Sequence, residues 1–509
     1  MRKLVNKVLR FYLQLRYQRI ARFIEHPHKA QAAVLKELIQ STKHTEWGRL
    51  YDFKSIKTPA DFAKNVPIQD YESLKPYINR MMHGESDVLW SGKVKWFAKS
   101  SGTTSDKSKF IPVSKRNLKK CHIQGTWDVT NIFYHNNPDA RIFELKSLLM
   151  GGSLDHFAPH PKTLIGDVSA IMMDRMPYIG RPFVTPDLEI AIMPKFDEKL
   201  ERMAQATSTE EDMVMIGGVP TWTMVFLDRI LEITGKKNMS EVWPNLQVYI
   251  HGGVSFDPYR DVFHKYFPKG NIQYMEIYNA TEGFFAIQND PKTNDMLLLL
   301  DNGIYYEFLP SEEWNKESPK AIPLSEVVEG KNYAMVISTN AGLWRYIPGD
   351  TIMFTSTSPY KIKITGRTKQ FVNAFGEEVM VSNTDKALAL TCQTMDAVAL
   401  EYTVAPIFLS QKGKGGHEWL IEFEKAPKDL KAFNKLLDEN LQKINSDYEA
   451  KRYKGMALDR LTLRHLPKGT FHNWLKSKGK YGGQHKVPRL ANHRKYVDDI
   501  LDFSGGVSF

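Results

Sequence analysis

The stretch from Lys99 to Ser114 reads KSSGTTSDKSKFIPVS and combines one glycine with several hydroxyl side chains and lysines. Small residues let backbone N–H groups approach an oxyanion, hydroxyl groups donate further hydrogen bonds, and lysine neutralises negative charge. This composition favours phosphate binding. It is not a Walker A loop, because Lys107 occupies the place of the second glycine and an extended segment follows. A different phosphate loop and a serine-rich surface turn are the two interpretations that the stretch allows by itself.

The stretch VYIHGGVSFDPYRDVF places a double glycine directly after a strand. We predict that the strand ends at Ile250 and that Gly252 and Gly253 follow it. Asp257 and Pro258 then supply the N-cap and the first-turn proline of a helix. A flat ligand can approach the backbone at such a double glycine, although the same pattern also forms plain turns.

The stretch EIYNATEGFF predicts a strand that ends at Tyr278 and a tight polar turn that presents Thr281 and Glu282. Mg²⁺ in phosphoryl and nucleotidyl transfer is typically held by one or two carboxylates and by phosphate oxygens, and Glu282 suits that role. The ring of Tyr278 could stack on a base. The alternative is an exposed turn glutamate beside a core tyrosine.

Two later stretches, GLWRYIPGDTI and TGRTKQFVNAFGEEV, each present a charged residue near a glycine. Asp350 follows a glycine and could accept hydrogen bonds from both hydroxyls of a ribose, although Gly-Asp is also common in turns. Arg367 and Lys369 lie where the pattern of the sequence changes. We therefore place a domain boundary near residue 370.

The elements that must position these residues alternate between helix and strand. Residues 1 to about 90 predict mainly helices, and Ser114 is a plausible N-cap for a helical segment that reaches about His135. Short apolar runs and helical patterns then alternate, which is typical of an α/β architecture with substantial sheet. After residue 370, two strands precede one amphipathic helix. The predicted domains are 1–370, large and α/β, and 371–509, small and α+β.

The length, the composition and the cysteine content exclude several classes of protein. A chain of 509 residues with 42% hydrophobic residues can build a large core. Its two cysteines, Cys121 and Cys392, argue against a disulfide scaffold, a zinc ribbon or a thiol redox enzyme. The first residues form neither a signal peptide nor a membrane span, so we expect a cytoplasmic protein.

Positive charge is concentrated at the two ends of the chain. Residues 1–50 hold eleven Lys and Arg against three Asp and Glu, and residues 451–495 hold thirteen against one. Such ends could bind nucleic acid or an anionic substrate, or could simply be solvated. The first residues also form a basic amphipathic helix, which could lie on a membrane. We expect instead that its apolar side chains pack on the neighbouring domain: Leu4, Val8, Phe11, Leu15 and Ile20.

Together and in this order, SSGTTSDKSKFIP, YNATEG, RYIPGD and GRTKQFVNAFGEEV resemble the signatures of the adenylate-forming superfamily. That superfamily includes acyl-CoA synthetases, firefly luciferase and peptide-synthetase adenylation domains. YESLKPYINRMMHGE, the form KSSGTT…KSKFIPV and GGQHKVPRL resemble more closely the plant auxin-responsive acyl acid–amido synthetases and their bacterial relatives. The resemblance spans roughly residues 60 to 490. One departure is Ser105-Asp106, which replaces the Gly-x of the wider superfamily's phosphate loop and counts more against a typical CoA ligase than against adenylation.

The resemblance implies a luciferase-like fold and two half-reactions. A carboxylate attacks the α-phosphorus of ATP to give an acyl-adenylate and pyrophosphate, and an amine, commonly that of an amino acid, then displaces AMP. Lys486 would stabilise the pentacoordinate phosphorane, Glu282 would hold Mg²⁺, Asp350 would take the ribose hydroxyls, and Arg367 would support it. The small domain would rotate at Lys369 between the steps. The remaining nucleotide contacts are expected from Ser100, Ser101, Gly102, Thr103, Thr104, Lys107 or Lys109, Gly252, Gly253, Tyr278 and Thr281.

Three hypotheses follow for the function. The first is an ATP-dependent acyl acid–amido synthetase whose acyl pocket is lined by MIGGVPTWTMVF and LLMGGSLDHF, although large side chains of this kind more often belong to the core. The second is a ligase that forms a thioester with CoA or a carrier protein. The third is a basic protein that binds nucleic acid or a membrane surface without turnover. It predicts loss of the key charged residues, which are all present.

Overall fold

The computed structural model describes most of the chain. The described residues are 2–100, 109–178, 180–193, 195–253, 256, 259–270, 272–314, 316–368, 371–372, 374, 379–407, 415–445, 448–449, 452, 458–480 and 486–505. The chain divides into two compact units. The first comprises Met1–Val254, Tyr266–Pro348 and Ile352–Lys363, and the second comprises Ser255–Lys265, Gly349–Thr351 and Ile364–Phe509. The second unit thus includes two short segments that precede residue 370.

Helices open the first unit, as the sequence predicts. Thr58 and Asp70 each cap one of them, because each side chain accepts a backbone N–H from the first turn. The helices are α1 (Arg2–Glu25), α2 (Pro27–Thr42), α3 (Glu46–Leu50), α4 (Pro59–Asn65) and α5 (Tyr71–Met82).

The prediction of which face of α1 is buried is wrong. Ile20 is buried as expected, but the other predicted side chains are exposed: Leu4, Val8, Phe11 and Leu15. The buried residues of the helix are instead Asn6, Leu13, Ile20 and Phe23. Polar contacts with distant segments fix this rotation, because Arg16 pairs with Asp128 at 3.0 Å and Arg19 pairs with Asp301 at 2.7 Å.

The chain on either side of the predicted phosphate loop forms a small sheet and a helical segment. Strands β1 (Trp96–Ser100) and β2 (Lys109–Val113) are antiparallel and join β4 (Leu154–His156) and β5 (Leu164–Gly166) in the order β2-β1-β5-β4. The side chain of Ser114 accepts the N–H of Asn117, which confirms the predicted cap. The segment then runs through α6 (Lys115–Asn117), a π-helical turn (Leu118–Ile123) and α7 (Gln124–Asn136).

The large sheet orders its strands as β13-β12-β14-β15-β16-β11-β10-β9-β8-β7-β3-β6. One end is parallel: β3 (Lys146–Leu149), β6 (Val184–Thr185), β7 (Met213–Gly217), β8 (Val248–Gly252) and β9 (Gln273–Ala280). The other strands are β10 (Gly283–Ile287), β11 (Met296–Leu298), β12 (Ile304–Pro310), β13 (Ile322–Pro323), β14 (Asn332–Thr339), β15 (Asp350–Thr357) and β16 (Tyr360–Arg367). This mixture of parallel strands and helices confirms the predicted α/β class.

Helices connect the parallel strands, and short 3₁₀ turns occur both in these connections and in the antiparallel part of the sheet. The helices are α8 (Val168–Asp174), α9 (Leu188–Ala191), α10 (Phe196–Ser208), α11 (Pro220–Thr234) and α12 (Met239–Val242). The 3₁₀ turns are Arg181–Phe183, Ser311–Glu313 and Leu324–Glu326. Among the described residues, no helix is both long and apolar enough to cross a membrane.

The second unit is a smaller α+β body with a core of its own. Its sheet has the order β19-β20-β21, and β17 pairs with β18 beside it. The strands are β17 (Phe371–Val372), β18 (Val379–Met380), β19 (Val398–Ile407), β20 (Gly416–Lys425) and β21 (Thr462–Leu466). The helices are α13 (Arg260–Tyr266), α14 (Val381–Thr394), α15 (Leu430–Ile444), α16 (Thr470–Ser477) and α17 (Lys495–Phe503).

Candidate functional site

The carboxyl ends of four neighbouring strands meet at one edge of the large sheet. Strands β3, β7, β8 and β9 are mutually parallel, and their pairing aligns Leu149 with Gly217 and Gly252 with Ile277. Three of the four run into a double glycine: 151–152, 217–218 and 252–253. Ligands of open α/β sheets bind beyond the carboxyl ends of such strands. We call the residues at this edge, including those of the β9–β10 turn, the strand-end site.

The two glycines at the end of β8 are each required for a different structural reason. Gly252 pairs with Ile277, and a Cβ at residue 252 would lie 2.4 Å from the carbonyl oxygen of Ile277. Gly253 has φ +83°, a conformation that favours glycine. The prediction that this strand ends at Ile250 is wrong by two residues, since the pairing with β9 continues to Gly252. The predicted cap at Asp257 and Pro258 lies outside the described residues.

A tight turn joins β9 to β10 and carries Thr281 and Glu282. The predicted strand end at Tyr278 is also wrong by two residues, because Asn279 and Ala280 still pair with β10. Both turn side chains are buried, and the hydroxyl of Thr281 donates to Oε2 of Glu282 at 2.6 Å. A carboxylate and a hydroxyl are the oxygen donors that Mg²⁺ prefers. The ring of Tyr278 is buried against Phe285, with ring centroids 4.7 Å apart.

His122, on the π-helical turn, is buried next to the same β9–β10 hairpin, and its pKa is shifted. Burial lowers the pKa of His122 to about 4, and the neighbouring side chain of Asn279 opposes this shift. Cys121 accepts the N–H of Phe284 at its sulfur. The imidazole of His122 is therefore neutral at pH 7. Nothing in the sequence pattern singled out this residue, since its neighbours in space come from β9 and β10.

The strands that flank the predicted phosphate loop hold its two ends together. Ser100 and Lys109 pair across β1 and β2, and the ammonium of Lys109 lies 5.6 Å from the centre of the Tyr71 ring. The hydroxyl of Tyr71 also accepts the N–H of Phe110. The loop residues between them lie outside the described residues: Ser101, Gly102, Thr103, Thr104 and Lys107. Their roles, like that of Lys369, stay predictions.

The segments proposed to line the acyl pocket also lie at the strand-end site. LLMGGSLDHF begins with the last two residues of β3, and MIGGVPTWTMVF runs from β7 into α11. Most large side chains of the second segment are buried, including Trp222 and Phe226, so they contribute mainly to the core. The ammonium of Lys199 donates to the carbonyl oxygens of Gly151 and Gly152 at 3.0 and 2.9 Å. The pocket assignment stays a prediction.

In the second unit, three predicted residues from distant parts of the chain interact. The carboxylate of Asp350 pairs with Arg367 at 2.8 Å, and both side chains influence the ammonium of Lys486. Burial lowers the pKa of Lys486 to about 8, with repulsion from Arg367 in the same direction and Asp350 opposing it. We call these three residues, together with Glu401 and Arg489, the lysine cluster. A partly desolvated ammonium of this kind can stabilise negative charge on a phosphate.

Backbone pairing holds the segment of Lys486 along the edge of β19. Val404 donates its N–H to the carbonyl of Arg489 at 2.8 Å, and Thr403 donates its hydroxyl to Pro488. The guanidinium of Arg489 pairs with Glu401 and donates to the hydroxyl of Tyr259 at 2.7 Å. These supporting residues were not predicted from the sequence. Only Arg489 left a signal, because it follows Lys486 by three residues in the quoted motif GGQHKVPRL.

The motif RYIPGD contains an arginine, Arg345, whose contacts are structural. Arg345 has φ +43°, and its guanidinium pairs with both carboxylate oxygens of Glu307 at 2.9 Å. It also donates to the carbonyl oxygens of Ala63 and Val66 near the end of α4. Both charged side chains are buried. This arginine therefore ties α4 to the large sheet.

The close approach at Gly252 predicts a stability effect. Gly252→Ala places a methyl group against the backbone of β9, and we expect a loss of about 1–3 kcal/mol in the free energy of unfolding. Gly217→Ala is the matched control at the same sheet edge, because its Cβ would lie 3.2 Å from the flexible end of the Leu149 side chain and no closer than 3.9 Å to the backbone, at the carbonyl oxygen of Leu148. Urea unfolding of both variants measures the difference. Equal stability of the two variants would contradict the prediction.

Sequence models of three protein-family domains match the chain. The GH3 family N-terminal domain matches residues 16–151 and 158–272, the central domain matches 297–367, and the C-terminal domain matches 382–495. One curated relative is the indole-3-acetic acid-amido synthetase GH3.4 of Arabidopsis thaliana, 22% identical over 92% of this chain and 91% of its own. Another is the jasmonoyl–L-amino acid synthetase JAR6 of Nicotiana attenuata, also 22% identical, over 91% of each.

Solved structures share the fold at low sequence identity. The GH3.15 acyl acid amido synthetase superposes with a TM-score of 0.76 at 16% identity, over 93% of both chains. 2-Hydroxyisobutyryl-CoA ligase in its postadenylation state, in complex with an acyl-adenylate, superposes with a TM-score of 0.60 at 12% identity, over 93% of this chain and 92% of its own. The predicted fold of the adenylate-forming ligases is thereby confirmed.

Proposed function

The chain belongs to the GH3 family, and we propose that it is an acyl acid–amido synthetase that uses ATP and Mg²⁺. It activates a small carboxylic acid as an acyl-adenylate and passes the acyl group to an amine, most simply that of an amino acid. The relatives named above join such acids to amino acids, which supports an amide rather than a thioester product. Its two cysteines are unpaired, in keeping with a reducing compartment such as the cytoplasm.

The observation that carries the mechanism is the lysine cluster. Asp350 and Arg367 form an ion pair that influences Lys486, although the three residues are far apart in sequence. We assign the carboxylate of Asp350 to the ribose hydroxyls and the ammonium of Lys486 to the charge that develops on the α-phosphorus. The incoming acid is already a carboxylate at pH 7, so the first step requires no general base. Preorganised charge is the main contribution expected of the protein.

In the strand-end site, the donor set fits a divalent cation on the nucleotide. Glu282 would hold Mg²⁺ with Thr281 beside it, and the ion would neutralise charge on the phosphate oxygens. Gly252, Gly253 and the ring of Tyr278 would lie along the nucleoside. In the second step the uncharged amine nitrogen attacks the acyl carbon, the bond from that carbon to the phosphate oxygen breaks, AMP leaves with the electron pair, and the attacking nitrogen releases one proton to solvent.

The experiment that tests this function is acid-dependent exchange of labelled pyrophosphate into ATP. Aryl, indolyl and fatty acids are each supplied with Mg²⁺, and ATP binding is measured on the same preparation. Exchange with one class of acid would establish adenylation, and trapping of the product with amino acids or with CoA would then identify the acceptor. A folded protein that neither binds ATP nor exchanges pyrophosphate with any acid would favour the binding-protein hypothesis instead.

The lowered pKa of Lys486 predicts the pH dependence of adenylation. Its ammonium is protonated below about pH 8, so we expect the exchange rate at low ATP to fall about tenfold per pH unit above that value. Lys486→Arg is the matched control, because a guanidinium stays charged throughout this range. Its rate should be lower but independent of pH up to about pH 10. An identical alkaline decline in the wild type and in this variant would contradict the assignment.

A further inference from the structure

The first helix presents an apolar stripe to solvent. Leu4, Val8, Phe11 and Leu15 are 66%, 61%, 64% and 51% exposed, and the neighbouring Tyr12 is exposed as well. Their spacing of four, three and four residues places them on one face of α1. Five of the twelve large apolar side chains that are exposed among the described residues therefore belong to this one helix. We call these five residues the α1 stripe.

Contacts on the opposite face of α1 show that the helix is packed on the domain and that the α1 stripe is exposed in this packed state. Leu13 and Ile20 are buried, and Asn6 donates to the carbonyl of Ala140 at 3.0 Å. The ring of Tyr17 stacks on that of His135 with centroids 3.7 Å apart. Together with the ion pairs of Arg16 and Arg19 described above, these contacts fix the rotation of α1. The α1 stripe therefore remains exposed to solvent as long as α1 is packed on the rest of the first unit.

The charge along α1 has a single sign up to its last residue, Glu25. From residue 2 to residue 24 the helix contains seven basic residues and no acidic one. Arg16 and Arg19 are used in ion pairs, whereas four others make no ion pair or side-chain hydrogen bond with any described residue: Arg2, Lys3, Lys7 and Arg22. On the helix, Lys7 lies beside the stripe. Arg22 lies on the same face as the stripe, about two turns after Leu15.

We propose that α1 is an interfacial helix that docks the protein on a bilayer surface containing anionic phospholipid. The α1 stripe enters the boundary between headgroups and acyl chains, and the basic residues pair with lipid phosphates. A second copy of the chain is disfavoured as the occupant, because pairing two stripes would bring basic residues together. The stripe also precedes residue 16, where the match to the family begins, so it is separate from the catalytic proposal.

Vesicle co-sedimentation tests this proposal on the full-length protein. Vesicles of phosphatidylcholine alone are compared with vesicles that also contain phosphatidylglycerol. We expect binding to the anionic vesicles only, weakened at least tenfold in the variant Phe11→Ser/Leu15→Ser. Removal of charge in Lys3→Gln/Lys7→Gln should weaken binding about fivefold per lysine. Leu50→Ser/Val328→Ser, which changes two exposed apolar residues elsewhere, should bind as the wild type does.

Circular dichroism and light scattering complete the test. If Phe11→Ser/Leu15→Ser is unfolded, the vesicle binding of Lys3→Gln/Lys7→Gln tests the proposal instead. The side chains of Lys3 and Lys7 make no ion pair or hydrogen bond with a described residue, so this variant should fold. Wild-type protein that fails to bind anionic vesicles would overturn the proposal, as would lysine variants that bind them with unchanged affinity. A wild-type dimer that the apolar variant converts to monomers, without vesicle binding, would show that a second copy covers the stripe and would also overturn it.

Discussion

We expect acid-dependent pyrophosphate exchange to fall about 10²–10³-fold when Lys486 is replaced by alanine, which is the loss typical of removing a preorganised charge from the transition state. The lysine cluster gives the reason. The segment of Lys486 is paired along β19 and braced by Arg489, so the ammonium is held in position before any substrate binds. Alanine removes the charge without disturbing that pairing, so the circular dichroism spectrum of the variant should match that of the wild type.

A control and a second substrate separate the two half-reactions. Lys480→Ala removes a positive charge from the same basic region and should leave exchange close to the wild-type rate. A chemically prepared acyl-adenylate bypasses the first step, so Lys486→Ala should still form amide from it. Equal losses in Lys486→Ala and Lys480→Ala would show that only the general positive charge of this region matters, and the assignment of Lys486 would be wrong.

Arg345→Met should lower the free energy of unfolding by about 3–5 kcal/mol. The substitution leaves the buried carboxylate of Glu307 without its partner, and two carbonyl oxygens near the end of α4 lose their donor. Burial raises the pKa of Glu307, and Arg345 opposes that shift. Without the arginine, the folded protein favours the protonated acid still more, so the deficit in stability grows as the pH rises from acid to neutral.

Urea unfolding followed by tryptophan fluorescence measures this deficit. Arg229→Met is the matched control, because Arg229 pairs with Glu201 and Glu232 on the surface and should cost less than about 1 kcal/mol. Adding Glu307→Gln to Arg345→Met removes the unpaired charge and should recover part of the loss. Equal costs for Arg345→Met and Arg229→Met would contradict a structural role for the buried pair.

The sequence by itself determined the types of residue available for chemistry and most of the local structure. The hydrophobic spacing predicted the helices of the first 90 residues and α15, and Ser114 was correctly identified as a cap. The ordered motifs also identified the family and its fold. These features depend on residues close together in the chain, where the periods of helix and strand are directly visible. Strand ends were placed less well, because pairing with β9 and β10 extended β8 and β9 by two residues each.

Only the tertiary structure decided which of these residues interact and which face of an element is buried. The spacing in α1 was helical, but contacts with Asp128 and Asp301, more than a hundred residues away, turned the predicted apolar face outward. The parallel register aligned the double glycines at one edge of the sheet, and the fold of the second unit brought Lys486 under the influence of Asp350. The free energy of such long-range contacts is not encoded in local spacing, so no pattern in one sequence could predict them.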